Sequence, residues 1–309
     1  MTVAEAKRIW RSYFENPNPD EEDLFRLSEA LHFLAEKTGN PDCMLDLGAA
    51  YYEKKRFDLA LRYYEMAADR GSVKALSNLG YIWYYGRTGE VNYEKAFTCY
   101  DRARRAGDPV SAYKVADMYK NGYYVERDPE KYRAIIEGLY AETREETSPF
   151  APRPEICVRL AGIRKEEGRT KEALMLYRGA REILARRIRE RPFFGDLSIM
   201  RSIVKDVREL SPDGWREGDL FDLFVLLAEP AAFRFSFEGK EHAVSSERQD
   251  DGSMAVCFDG KWFRTIPDFF MKAEVDGVPL VCRYEELSGF AETAEGDGKD
   301  RTGEGGERI

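Results

Sequence analysis

Ala60, Tyr64, Ala67 and Gly71 return 36 residues later as Ala96, Tyr100, Ala103 and Gly107, the same residue types at one constant step. Ahead of them, Leu47-Gly48-x-x-Tyr51 is echoed by Leu79-Gly80-x-x-Trp83-x-x-Gly86. That in turn is echoed, again 36 further on, by Val115-Ala116-x-x-Tyr119-x-x-Gly122. A repeat of this length confines the chain to a stack of helical hairpins, because one hairpin cannot bury its apolar face alone and must lean on its neighbours. Small residues (Gly48, Gly80, Ala116) let paired helix axes approach closely, and Tyr51, Trp83, Tyr64 and Tyr100 are expected to fill the gaps between units. A fourth copy follows at a constant offset of 113 from the first, with Leu160-Ala161, Ala173-Leu174, Tyr177 and Ala180, and with Arg164 where the first copy has Tyr51. The third copy departs in its second half. Tyr132 stands where Ala60 and Ala96 sit, and no aromatic follows at the place of Tyr64 and Tyr100.

These motifs resemble the tetratricopeptide superfamily and, within it, the Sel-one-like repeats, which carry a small loop insertion between their paired helices. Gly48 to Ala60 spans 12 residues and Gly80 to Ala96 spans 16, with Arg87 to Tyr93 supplying the inserted loop. The resemblance implies a mainly α fold, an α-solenoid of helical hairpins in which the first helix of each unit lines a concave groove. Its inward positions map to Leu45, Ala49 and Tyr52, then Ser77, Tyr81, Tyr84 and Tyr85, then Tyr113, Asp117 and Lys120, with Val158 and Lys165 in the fourth unit. Tyrosine offers wide, rigid apolar area with a polar tip, which suits it to contacts with a guest. Tyr81 and Tyr113 equally suit packing between units. Some tetratricopeptide proteins grip a terminal carboxylate with paired Lys, Asn and Arg residues. Here only Asn78 and Lys114 fall near that pattern, and Leu45 and Ala49 occupy two of the required places.

Around the array the pattern changes. Val3, Ala6, Ile9, Trp10, Tyr13 and Phe14 recur at helical spacing, and Asn18-Pro19-Asp20-Glu21 reads as the cap of a second helix ending before Gly39. Residues 1–40 are thus expected to form a degenerate leading repeat, 41–190 the array, and 191–230 closing helices at roughly 196–210 and 218–228, separated by Ser211-Pro212-Asp213-Gly214. After Pro230 the apolar period becomes two, as in Phe233, Phe235, Phe237 and Met254, Val256, Phe258. Turn pairs stand at Glu238-Gly239, Asp251-Gly252, Asp259-Gly260 and Asp276-Gly277. Thr265-Ile266-Pro267-Asp268 caps a short helix carrying Phe269 and Phe270. Residues 231–290 therefore read as a small α+β domain, an antiparallel sheet of four or five strands with one helix on it. The segment 291–309 holds five glycines, six acids and three bases and is too polar to offset its chain entropy, so it is expected to be disordered.

Charge and chemistry narrow the function. The formal charge of -9, from 48 basic and 57 acidic residues, argues against nucleic acid as a partner. The arginine runs at 102–105 and 181–191 read as solvated helix faces. No apolar run is long enough to span a bilayer, which points to no membrane partner. Cysteines 43, 99, 157, 257 and 282 make an odd count without a Cys-x-x-Cys pair, which suits free thiols and a cytoplasmic location. With His32 and His242 the only histidines, and no phosphate loop, zinc spacing or nucleophile elbow, no catalytic residue, metal or cofactor is expected. These readings converge on a non-enzymatic scaffold that binds a protein or peptide along the groove. The alternative is an array that presents a ligand-binding or enzymatic C-terminal domain within a regulatory or antagonistic system.

Overall fold

The computed structural model describes residues 1–16, 18–145, 148, 151–211 and 220–293, and its internal contacts divide the chain into two units at Glu142/Thr143. The first unit is all helical: α1 Val3–Glu15, α2 Glu21–Thr38, α3 Asp42–Glu53, α4 Phe57–Asp69, α5 Val73–Tyr84, α6 Tyr93–Arg105, α7 Pro109–Asn121 and α8 Pro129–Glu142. Helices pair as α1/α2, α3/α4, α5/α6 and α7/α8, and each pair packs on the next. Short polar side chains start α5, α6 and α7. Ser72 accepts from the Ala75 N–H at 3.3 Å, Asn92 from Lys95 at 2.9 Å, and Asp108 from Ser111 at 2.7 Å, each supplying one of the acceptors a helix N-terminus lacks. For α2 the cap lies two residues later than expected. Asp20, in a reciprocal box with Asp23, does the capping, and Pro19 precedes the helix.

The glycine–tyrosine pairing of the repeat has a steric cause. A Cβ on Gly48 would lie 2.6 Å from the Tyr64 ring, and one on Gly80 would lie 2.6 Å from the Tyr100 ring. These rings therefore fill space inside their own hairpins rather than only the gaps between units, although the Asn78 side chain of the next hairpin does lie beside the Tyr64 hydroxyl. Tyr51 likewise stacks on Tyr63 of its own hairpin at 5.3 Å. The third hairpin departs consistently, with Ala116 and Ile136 at the equivalent positions, both fully buried. Its second helix is as well formed as the others, and Tyr132 is buried at 5% exposure where the other copies carry alanine.

Two kinds of connection join the paired helices. In the short form the Arg56 N–H donates to the Tyr51 carbonyl at 2.9 Å. In the long form the Asn92 N–H donates to the Trp83 carbonyl at 2.9 Å, and the Asp128 N–H makes the same bond to Tyr119 at 2.9 Å. The inserted loop is thus present in the second and third hairpins.

One half-buried carboxylate in this unit has a pH consequence. The Trp10 indole donates to Asp46 Oδ2 at 2.8 Å, and burial pushes the Asp46 carboxyl above its ordinary 3.8 against the opposing pull of that bond. The folded chain holds this proton more tightly than the unfolded chain, so its contribution to stability falls as pH rises from 3.8 through the raised value. Asp46→Asn keeps an oxygen acceptor for the indole and removes the charge. Relative to the parent, it is expected to raise the thermal midpoint at neutral pH and to lose that slope, which melting curves across the acidic range would check.

The second unit begins with the hairpin α9 Arg153–Glu166 and α10 Thr170–Glu190. It closes in the short form, with the Arg169 N–H on the Arg164 carbonyl at 2.8 Å. Where the first copy carries Tyr51, the Arg164 guanidinium meets Glu167 at 3.0 Å. Helix α11 (Phe194–Leu210) packs on this hairpin, the Tyr177 hydroxyl donating to Asp206 at 2.9 Å. A 3-10 turn at Leu220–Asp222 leads into the short α12 (Leu223–Leu226), while the expected turn at 211–214 lies outside the described residues after Ser211.

An antiparallel sheet follows, in the order β4-β3-β2-β1-β7, from β1 Ala232–Phe237, β2 Lys240–Arg248, β3 Met254–Phe258, β4 Lys261–Phe263 and β7 Ser288–Glu292. The small pair β5 Glu274–Val275 and β6 Val278–Pro279 lies apart from it. Three of the four expected turns have positive φ at both central residues (Glu238-Gly239, Asp259-Gly260, Asp276-Gly277), as a type I′ hairpin requires. At Asp251-Gly252 only Gly252 does, and the connection is longer. One sheet face, with Phe233, Phe235, Phe237, Val256 and Phe258 buried, is covered by α13 (Ile266–Lys272), which Thr265 caps. Phe270 of that helix stacks on Phe224 at 3.6 Å, so the closing helices share a core with the sheet domain. The C-terminal segment expected to be unpacked is paired further than foreseen. Ala291 and Glu292 lie opposite Arg234 and Phe233, and the remainder from residue 294 lies outside the described residues.

Candidate binding surface

Within the first unit the first helices of the second and third hairpins touch directly, α5 against α7, and their facing residues join into a belt of phenol rings. Tyr52 of α3 meets Tyr81 of α5 at 6.1 Å between ring centres, Tyr81 meets Tyr85 at 4.4 Å, and Tyr85 meets Tyr84 at 4.9 Å. Tyr84 continues the chain to Tyr93 at 5.5 Å and Tyr123 at 6.0 Å, which stack on each other at 4.4 Å. Tyr85 is 44% exposed and gives the belt an open face, whereas Tyr113 is only 8% exposed and offers little of its ring.

Two cations lie on these rings. The Arg87 guanidinium sits 5.6 Å from the Tyr81 ring centre and 5.5 Å from that of Tyr85, and its Nη2 donates to the Tyr81 hydroxyl at 3.3 Å. The Lys114 ammonium sits 5.4 Å from Tyr85 and 5.7 Å from both Tyr84 and Tyr113, and donates to the Tyr85 hydroxyl at 3.4 Å. Burial, then the nearby Asp117 charge, raises the Tyr84 phenol's pKa, while the Tyr52 phenol is raised by burial and by Tyr81 against the pull of Arg87. The rings stay neutral, able to stack and to hydrogen-bond.

Of the eight polar inward positions named on the first three units, Tyr52, Tyr81, Tyr84, Tyr85 and Tyr113 thus come together, with Asp117 beside them. Ser77 is half-buried on α5, and the Lys120 ammonium lies 5.2 Å over Tyr132 of α8; neither joins this chain of ring contacts. Lys165 of the fourth hairpin is bound by Asp206 at 2.8 Å and Glu209 at 2.9 Å, so its place is taken up by α11. Arg87, Tyr93 and Tyr123 escaped sequence reasoning because they sit in or next to the inserted loops rather than on the first helices. The available signal was the repeat itself, since Arg87 and Tyr123 are 36 apart.

Elsewhere, a cleft of about 440 Å³ opens on the C-terminal sheet, lined among others by Glu247, Gln249, Asp251, Trp262, Phe263 and Arg264. His242 is buried between Phe235 and Phe258, with Nδ1 2.6 Å from Asp259 Oδ2 and Nε2 without a partner. His32 Nδ1 lies 2.7 Å from the Ser28 carbonyl. The arginine runs are partly consumed internally, Arg104 and Arg105 by Asp101 and Arg187 by Glu155. The five cysteines are free thiols. Among the described residues no helix is long and apolar enough to cross a membrane, and no group of His, Cys, Asp and Glu is placed to hold a metal ion.

A sequence profile for the Sel1 repeat matches residues 28–72, 73–108 and 109–135, and its inner boundaries at 72/73 and 108/109 fall between the observed hairpins. A Sel1 repeat protein from Oxalobacter formigenes superposes with a TM-score of 0.50 at 20% identity, over 66% of this chain and 75% of that one. A protective antigen of uropathogenic Escherichia coli with the same repeat fold gives a TM-score of 0.46 at 19% identity, over 73% of this chain and 52% of that one. An ERAD-associated E3 ubiquitin-protein ligase component, HRD3 of Candida glabrata, is 28% identical over 102 residues, which is 32% of this chain but only 12% of that protein. Residues 28–135, with glycine-seated tyrosines in the first two hairpins and inserted loops in the second and third, are three Sel1 repeats.

Proposed function

We propose that this chain is a non-enzymatic interaction scaffold that holds a segment of a partner protein along the tyrosine belt of its Sel1 repeats. The observation that carries this reading is the continuous run of phenol rings from Tyr52 to Tyr84, open at Tyr85 and flanked by Arg87 and Lys114. Exposed, rigid aromatic side chains beside arginine are the residue types that dominate binding energy at protein interfaces. Free thiols at all five cysteines support a reducing, cytoplasmic setting. The test is photo-crosslinking from a probe at position 88, in the inserted loop beside Arg87, placed both in the parent and in the Tyr84→Ala/Tyr85→Ala double variant. A partner captured by the parent is expected to be lost by the variant while the helical circular dichroism is retained. A partner captured equally well by both would overturn the reading.

A second reading is favoured by the cleft beside Trp262, whose aromatic wall and polar rim suit a small organic ligand. It makes the repeats a support for the C-terminal domain. Ligand-induced protection of residues 247–265 against hydrogen exchange would support it, and protection confined to the belt would count against it.

A further inference from the structure

We infer that the Arg87 guanidinium is a receptor for the carboxylate side chain of an acidic protein segment lying on the belt, an inference that rests on the groove reading above. Several exposed arginines of this chain meet carboxylates: Arg56 pairs with Glu21, Arg169 with Glu172, Arg248 with Glu229, Arg283 with Glu286. Arg87 instead meets phenols. The influences that raise its own pKa come from the hydroxyls of Tyr81 and Tyr52. A neutral phenol accepts a hydrogen bond without cancelling the charge, and of five guanidinium N–H donors those on the Tyr81 and Tyr52 hydroxyls leave others over. In a chain with 57 acidic residues, an exposed cation seated on neutral rings is a local positive point in a negative protein.

The seat is also preformed. The Arg87 N–H donates to the Ile82 carbonyl at 3.0 Å, and the loop is closed by Asn92 on Trp83, so the side chain starts from a fixed backbone. Cation–π contact uses the face of the guanidinium, whereas its donors lie in the plane, so stacking on Tyr81 and Tyr85 is compatible with a two-pronged grip on a carboxylate. Lys114, from the next hairpin, brings a second positive charge to the other neighbours of the same Tyr85 ring. Together they describe a guest with an apolar side chain against Tyr85 and an acidic residue flanking it. Asp117, beside Tyr84, bounds the positive field on that side.

The test uses the full chain and short fluorescent peptides in three versions: leucine alternating with glutamate, with glutamine, or with phosphoserine. Fluorescence anisotropy is expected to show the glutamate peptide binding about tenfold tighter than the glutamine peptide, the scale of one charge-assisted hydrogen bond. Arg87→Gln is expected to abolish that preference with the helical circular dichroism retained, and Arg87→Lys is expected to restore only part of it. Three outcomes would overturn the inference: a preference that survives Arg87→Gln, equal binding of the glutamate and glutamine peptides, or a phosphoserine peptide bound at least about tenfold tighter than the glutamate one. In the equal-binding case the groove reading stands, provided the Tyr84→Ala/Tyr85→Ala variant loses both peptides. If no peptide binds and crosslinking from position 88 is unaffected by that variant, both fall.

Discussion

Cutting Tyr100 back to alanine is expected to cost the repeat unit about 3–5 kcal/mol, the range for deleting a large buried aromatic. The ring is 1% exposed and lies against Gly80, so its loss opens a hole bounded by helix backbone that cannot collapse. Urea denaturation followed by circular dichroism would measure it, and a change under about 1 kcal/mol would contradict the role assigned to the ring. Two companion variants separate size from chemistry. Tyr100→Phe is expected to be neutral or stabilising, because the buried hydroxyl has no partner and its desolvation gains nothing. Gly80→Ala should lose about 1–3 kcal/mol by driving a methyl into the ring, less up to about 1 kcal/mol of improved helix propensity. Combining Gly80→Ala with Tyr100→Ile should cost less than the sum of the two singles, since the third hairpin already carries that combination as Ala116 and Ile136.

Arg187→Met is the counterpart in the second unit. The side chain is 9% exposed and reaches Glu155 at 3.1 Å and Asp196 at 3.4 Å, themselves 16% and 13% exposed, and it also bonds the Ala151 carbonyl. Removing the cation strands two buried carboxylates, which is expected to cost about 3–5 kcal/mol at neutral pH. Burial already raises the Asp196 pKa above 3.8, with Glu155 adding to the shift and Arg187 opposing it. Without Arg187 the folded-state value rises further. The penalty is therefore full above that value and shrinks as pH falls towards 3.8, as Asp196 takes up its proton. A deficit that stayed constant from pH 7 to pH 4 would show that lost packing, not stranded charge, causes it.

What could be read from the chain beforehand follows the physics of repetition. Gly48, Gly80, Tyr64 and Tyr100 were legible because the same steric problem is solved the same way in successive copies, leaving a periodic trace. The period-two phenylalanines of β1 and the Gly-containing turns were legible because each is a local constraint on one strand or one bend. The cap of α2 slipped by two residues because Asn18 and Asp20 are both competent caps and only the tertiary seat of the helix decides between them. The shared core of Phe224 and Phe270 was not legible, since nothing local says which apolar face another will cover. The belt divides along the same line. Tyrosines on the first helices could be placed by register, whereas Arg87 reaches them from a loop whose path depends on long-range closure onto Trp83.

The match between Gly80 and Tyr100, or between Ala116 and Ile136, also bears on how such arrays grow. A crossover that joined the first helix of the third repeat to the second helix of the second would set a methyl against a phenol ring and be eliminated by instability. A breakpoint inside a hairpin keeps the match only between copies that share the same pair, as Gly48/Tyr64 and Gly80/Tyr100 do, whereas one between hairpins always keeps it, so the two-helix pair is the module that can be duplicated or lost most freely.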